Sequence, residues 1–144
     1  MIVYLDNCCF NRPFDDQSQI RIKLETEAKI KIQDDILNEN IQLVWSYVLD
    51  YENNKNPFEE KKRAIEKWKN VSCTDINENE QIIINAKKFS QLGLKTKDSL
   101  HIACAVFAGC DYFLTTDDKI LSKALSVAEI RITDPIGFIK EVYR

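Results

Sequence analysis

Four carboxylates, Asp6, Glu52, Asp98 and Asp117, are placed where elements of structure begin, end or turn toward an edge. Asp6 closes the apolar run Met1-Ile2-Val3-Tyr4-Leu5, and Asp117 follows Tyr112-Phe113-Leu114-Thr115-Thr116. Asp98 falls in the first turn of a segment that is almost wholly apolar from Leu100 to Ala108. Glu52 lies about two turns into a helix that Ser46 would cap. Brought together, these acids would bind a cation. Like charges at about 4 Å cost on the order of 4 kcal/mol per pair at an effective dielectric near 20. A divalent cation removes that penalty, and an all-oxygen shell suits Mg²⁺ or Mn²⁺ rather than zinc. A cation held there lowers the pKa of water and neutralises charge developing on a phosphoryl oxygen. By the same repulsion argument, neutralising Asp6 or Asp98 should leave the fold intact or more stable. Each acid also has a plainer role. Asp98 and Asp117 stand where a helix dipole favours carboxylates, and Glu52 suits a solvated helix face. Asp6 is different, because a charge directly ending a buried strand needs a partner.

The elements that must position these acids read as alternating strands and helices. Strands are expected at 1–5, 41–45, 111–115 and 129–132, with 71–74 a short strand or an extended link. Helices are expected from Asp15 or Asp16 to Leu37, from Ser46 to Asn53, and from Phe58 to Lys69 with Pro57 in the first turn. Further helices should run from Asn77 or Asn79 to Leu92, closed by Gly93, and from a Thr96 cap through Ala108. Two more follow, from Asp117 to Leu125 and from Pro135 to Tyr143. Such alternation implies one α/β domain over 1–144, with a mostly parallel sheet of four to five strands and helices on both faces. In these sheets the crevice lies at the carboxyl ends of the strands, where Asp6 and Asp117 fall.

Composition removes several alternatives. Twenty Lys and Arg against 23 Asp and Glu give a net charge of −3 over 144 residues, unlike a basic clamp on duplex DNA. The three glycines, Gly93, Gly109 and Gly137, are too scattered for a phosphate-cradling loop. Five cysteines without a CxxC pair, and a single histidine, His101, do not make a structural zinc site. Free thiols, no basic-then-apolar leader and no window near ~20 apolar residues point to a reduced, cytoplasmic setting away from membranes. A phosphoacceptor receiver domain or a haloacid-dehalogenase-type phosphatase would need an acid pair or Asp-x-Asp at the first strand. Asn7 and Cys8 follow Asp6 instead.

Tyr4-Leu5-Asp6-Asn7, Ser46 through Glu52, Lys97-Asp98-Ser99-Leu100-His101-Ile102-Ala103 and Leu114-Thr115-Thr116-Asp117 resemble, in this order, the motifs of PIN domains, including the VapC-type toxins of toxin–antitoxin pairs. The resemblance spans nearly the whole chain. The opening Asp6-Asn7-Cys8-Cys9 departs from the more usual Asp-Thr or Asp-Ser. The resemblance implies an endoribonuclease using Mg²⁺ or Mn²⁺ and a metal-activated water, with an RNA substrate, a small antitoxin and a second copy of the chain as partners. By position, Asp6 and Asp98 would be the most direct metal ligands, Asp117 direct or through water, and Glu52 a water-orienting acid or holder of a second ion. Asn7, Arg12, Thr115 and Thr116 would line the substrate side, the alternative for Arg12 being a pairing with Asp15 or Asp16. Asp118 points about 100° away from Asp117 on a helix and ranks below it. His101 shares a face with Asp98 and reads as a hydrogen-bonded histidine on a buried helix, with a general-base role conceivable. A PIN-like module that binds RNA or protein without cutting is the alternative, and the four intact acids argue against it.

Overall fold

Short apolar runs that are buried on both faces pair as parallel strands, and here they set up a single sheet. The computed structural model describes residues 1–143. Its strands are β1 (Ile2–Leu5), β2 (Gln42–Ser46), β3 (Thr74–Ile76), β4 (Tyr112–Leu114) and β5 (Arg131–Thr133). All neighbours are parallel, in the order β3-β2-β1-β4-β5. The helices are α1 (Asn7–Asn11), α2 (Ile20–Leu37), α3 (Tyr47–Asn54), α4 (Glu59–Asn70), α5 (Glu80–Ser90), α6 (Thr96–Phe107), α7 (Asp118–Ser122) and α8 (Pro135–Val142).

Strand alternation assigns the helices to the two faces. Trp45 meets Phe10 of α1, with Lys29 of α2 over the same Phe10 ring, whereas the next residue, Ser46, turns to Tyr4 on the opposite face. Tyr112 packs edge-on against Phe138 of α8, while Phe113 stacks on Tyr4, which meets His101 of α6. One face is therefore covered by α1, α2 and α8, the other by α6 with α5 packed on it. The strand order reverses direction at β1, so β1 and β4 diverge from a switch point at their carboxyl ends.

Several local expectations are corrected. Residues 7–11 form a helix because the Asp6 carboxylate accepts the Asn7 N–H at 2.8 Å and Phe10 finds Trp45. The long helix starts only at Ile20, since the Asp16 side chain is used by the N–H and hydroxyl of Ser18 rather than as a cap. Pro57 precedes α4 instead of opening it, and 71–73 is a turn leading into β3. Thr96 is the first residue of α6, not its cap, which is Lys95 without a side-chain bond. The helix after β4 stops at Ser122, with a 3-10 turn at Ala124–Ser126. Ser46 and Asn79 cap the starts of α3 and α5 as the sequence implies, but α5 ends at Ser90 with Gln91 as its cap, and Gly93 (φ +96°) closes the turn that follows rather than the helix.

A lysine is also folded into this layer. Lys29 is 2% exposed, with its ammonium 5.2 Å from the Phe10 ring centre and 5.6 Å from that of Trp68. No carboxylate pairs with it among the described residues, and burial pulls its pKa down to about 8. A depressed folded-state pKa means that between about 8 and the ordinary lysine value only the unfolded chain holds the proton. Stability should therefore rise as pH climbs through that window. Lys29→Met should flatten that rise and stabilise the protein at pH 7 by about 1–2 kcal/mol, read by thermal melts at several pH values.

Candidate metal centre

The register of β1 and β4 builds the centre. Leu5 pairs with Leu114, and the Asp6 N–H donates to the Leu114 carbonyl at 2.9 Å, so the residues that follow both strands emerge side by side. Asp6 is buried, and both its oxygens are fixed. Oδ1 accepts the Asn7 N–H; Oδ2 accepts the Thr115 hydroxyl at 2.8 Å and the Cys8 thiol at 3.4 Å. Thr115 Oγ1 in turn accepts the Asp117 N–H at 3.1 Å. Asp117 caps α7, its Oδ1 accepting from Lys119 and Ile120. Asp98 arrives in the first turn of α6, and Glu52 from α3, which β2 and its Ser46 cap project over the same edge.

Asp6, Glu52, Asp98 and Asp117 line one open cleft of about 320 Å³, together with Asn7, Cys8, Asn11, Asp15 and Lys97. The electrostatics report the same meeting. Burial, then the negative charges of Asp6 and Asp117, push the Asp98 carboxyl up to about 6. Glu52 is held below the usual carboxylate range. Its burial works the other way but is outweighed by the bond to His101 and by that residue's charge, with smaller help from Lys97 and Asn7.

His101 belongs to this centre, which is the largest addition to the sequence reading. It is fully buried, and its Nε2 bonds Glu52 Oε1 and lies 3.7 Å from Asp6 Oδ1. Its Nδ1 meets the Tyr4 hydroxyl at 2.5 Å, and that hydroxyl meets Ser46 Oγ at 2.6 Å. Nε2–H donates to Glu52, and behind it Nδ1 and the hydroxyls of Tyr4 and Ser46 form one continuous hydrogen-bonded chain. Burial holds the Tyr4 phenol well above its ordinary pKa, so it stays protonated. Asp6, Glu52 and His101 each offer a donor atom, all within 4.8 Å of one another. Sequence gave one clue to the relay, a tyrosine inside an apolar strand whose hydroxyl must find a partner.

The substrate-side candidates separate. Asn7 lines the cleft, with a buried Oδ1 that has no hydrogen-bond partner. Thr115 is fully buried and orients Asp6 and Asp117. The Thr116 backbone is engaged instead, its N–H by Cys8 and its carbonyl by Arg21. Arg12 is outside the cleft lining. It bonds the fully buried Glu25 at 3.1 Å and Asp15 at 3.0 Å, the pairing with Asp15 being one the sequence allowed. Asp118 is exposed and paired with Arg21 at 2.7 Å. Arg12→Ala would leave Glu25 with only Arg21 at 3.5 Å, so a stability loss of about 2–4 kcal/mol is expected in denaturant melts.

A carboxylate raised by burial and by its acidic neighbours, and an orphaned amide oxygen in the same cleft, fit a hard divalent cation. The expectation that Asp6 could be neutralised without loss does not survive. Asn at position 6 would disrupt bonds that a carboxylate alone can accept from both sides, and only Asp98 retains the repulsion argument.

No protein-family model matches the chain, and no curated protein matches it in sequence. Solved structures do. The structure of VapBC-1 from nontypeable Haemophilus influenzae contains a chain with a TM-score of 0.59 and 19% identity, the match covering 94% of this chain and 98% of that one. VapBC2 from Rickettsia felis, bound to a DNA fragment from their promoter, gives 0.55 and 12% identity over 93% and 98%. No described helix is long and apolar enough to cross a membrane. From the parallel sheet through the helices on both faces, the chain has the PIN-like fold of these VapBC structures.

Proposed function

We propose that the chain is an endoribonuclease dependent on Mg²⁺ or Mn²⁺ and the toxin of a pair with a small antitoxin. The observation that carries the reading is the gathering of Asp6, Glu52, Asp98 and Asp117 in one cleft at the carboxyl edge of the sheet. The likeness to VapBC complexes supports the antitoxin partner. Asp6, Asp98 and Asp117 would hold the cation. When bound, it would supply a more acidic water and offset charge on the phosphoryl oxygens.

The protein's own groups do the positioning. Thr115 and the Asn7 N–H fix both oxygens of Asp6, so this carboxylate meets its ligand without reorganisation. His101 holds Glu52 Oε1, leaving Oε2, 3.6 Å from Lys97, to orient the attacking water and receive its proton. The Lys97 ammonium also meets phosphate charge at the mouth of the cleft. Hydrolysis would join the water oxygen to phosphorus and break the bond to the ribose oxygen, which leaves as a hydroxyl by taking a proton from solvent, while Glu52 returns its proton to solvent.

Purified protein incubated with end-labelled RNA should cleave in Mn²⁺ or Mg²⁺ and stop in EDTA. Binding without cleavage in either metal would replace this reading with a non-catalytic PIN-like module.

A further inference from the structure

Beside the acid cleft runs a second, larger groove of about 710 Å³ between α3 and α6, within the usual range for a small-ligand site. Glu52 and Lys97 border both, so the groove opens directly onto the acids. Its walls are aromatic and basic. Tyr51 is 56% exposed, and the Lys55 ammonium lies 4.2 Å from its ring centre. Lys95 stands exposed at the rim, with no ion pair among the described residues, and Leu100 is half-buried in the wall. The Tyr47 hydroxyl is enclosed at the groove and has no hydrogen-bond partner among the described residues. An adjoining pocket that also borders Glu52 and Lys55 repeats the pairing, with Lys61 4.3 Å from the ring centre of the exposed Phe58.

We infer that this groove is a nucleotide subsite. It seats one unpaired nucleotide next to the scissile phosphate, with its base on Tyr51 and Leu100 and its phosphates at Lys55 and Lys95. The inference rests on the nuclease reading and adds to it the residues that seat a base beside the cut. An exposed aromatic ring with an ammonium beside it is how proteins hold unpaired bases, since every base has a face to stack and the lysine serves ring and phosphate alike. Three lysines against one glutamate make the groove locally basic on a chain whose net charge is −3. That sign matches a phosphate backbone. The Tyr47 hydroxyl supplies a polar contact for the edge of the base. A duplex offers no free base face and would lose the stacking.

The test separates the two claims. Affinity for a fluorescent 12-nucleotide single-stranded RNA is read by anisotropy in EDTA, and cleavage of the same RNA is read in Mn²⁺. Tyr51→Ala should weaken binding about tenfold, with Tyr51→Trp restoring it and the melting temperature unchanged. Lys55→Ala and Lys95→Ala should each lower the slope of log affinity against log salt by about 0.7. The duplex of the same sequence should bind more weakly than the single strand. Unchanged affinity in Tyr51→Ala, or equal affinity for duplex, overturns the subsite, even in a wild type that cleaves; a groove that serves a protein partner would give the first of these results. Conversely, loss of affinity in Tyr51→Ala in a protein that cuts nothing keeps the subsite and overturns the nuclease.

Discussion

Asp98→Asn should abolish metal-dependent cleavage and at the same time make the metal-free protein more stable. Asp98 is half-buried and surrounded by Asp6, Asp117 and Glu52, so its carboxyl is lifted to about 6, above the ordinary aspartate value. The folded state therefore binds a proton more readily than the unfolded chain. Without metal, the contribution of Asp98 to stability is greatest below pH 4 and falls as pH rises toward 6. A two-unit shift would be about 3 kcal/mol for a fully enclosed group; partial solvent access halves this to about 1–2 kcal/mol at pH 7. In Asp98→Asn the melting temperature in EDTA should rise by about 5 °C at pH 7, and the decline between pH 4 and 6 should flatten. Saturating Mn²⁺ should stabilise the wild type by about 2–3 kcal/mol at a hundredfold excess over its dissociation constant. The variant should show little of that gain. Cleavage near the wild-type rate, or an unchanged response to Mn²⁺, would remove Asp98 from the centre.

His101→Ala carries the second large effect, and its direction is opposite. The substitution leaves the Tyr4 hydroxyl and Glu52 Oε1 without their partner in a buried setting and opens space beside the Tyr4 ring. An unsatisfied buried polar group costs about 1–3 kcal/mol, and the cavity adds to it. A loss of about 3–5 kcal/mol is expected in chemical denaturation. Tyr4→Phe removes only the middle hydroxyl and should cost about 1–2 kcal/mol. Cleavage should fall at least tenfold in His101→Ala, with most of the loss in kcat, because Glu52 is no longer held. A variant with wild-type kcat would show that the histidine only packs.

Much of this centre was legible because strand ends and helix starts are written locally. Leu5-Asp6 and Leu114-Thr115-Thr116-Asp117 announce where apolar runs stop, and parallel pairing puts those stops on one edge. Ser46 as a cap fixed the phase of α3 and therefore the direction of Glu52. The relay from Ser46 through Tyr4 to His101 was not legible, since it joins residues 42 and 97 positions apart through side-chain contacts across a face of the sheet. The same holds for Arg12. Its nearby partner Asp15 was visible, but the buried Glu25 is chosen by the packing of α2. Helix α1 was hidden because its stability comes from the Asp6 cap and from Phe10 against Trp45, neither of which has a periodic signature in five residues.

The junction of β1 with β4 has a bearing on how the protein is made. The strand that delivers Asp6 is translated more than a hundred residues before its neighbour in the sheet, and with it Asp117. Pairing of such distant segments is a late event in folding. Without β4 and the residues that follow it, Asp6 would have no neighbour to bring Asp117 beside it, and the four acids could not share one cleft.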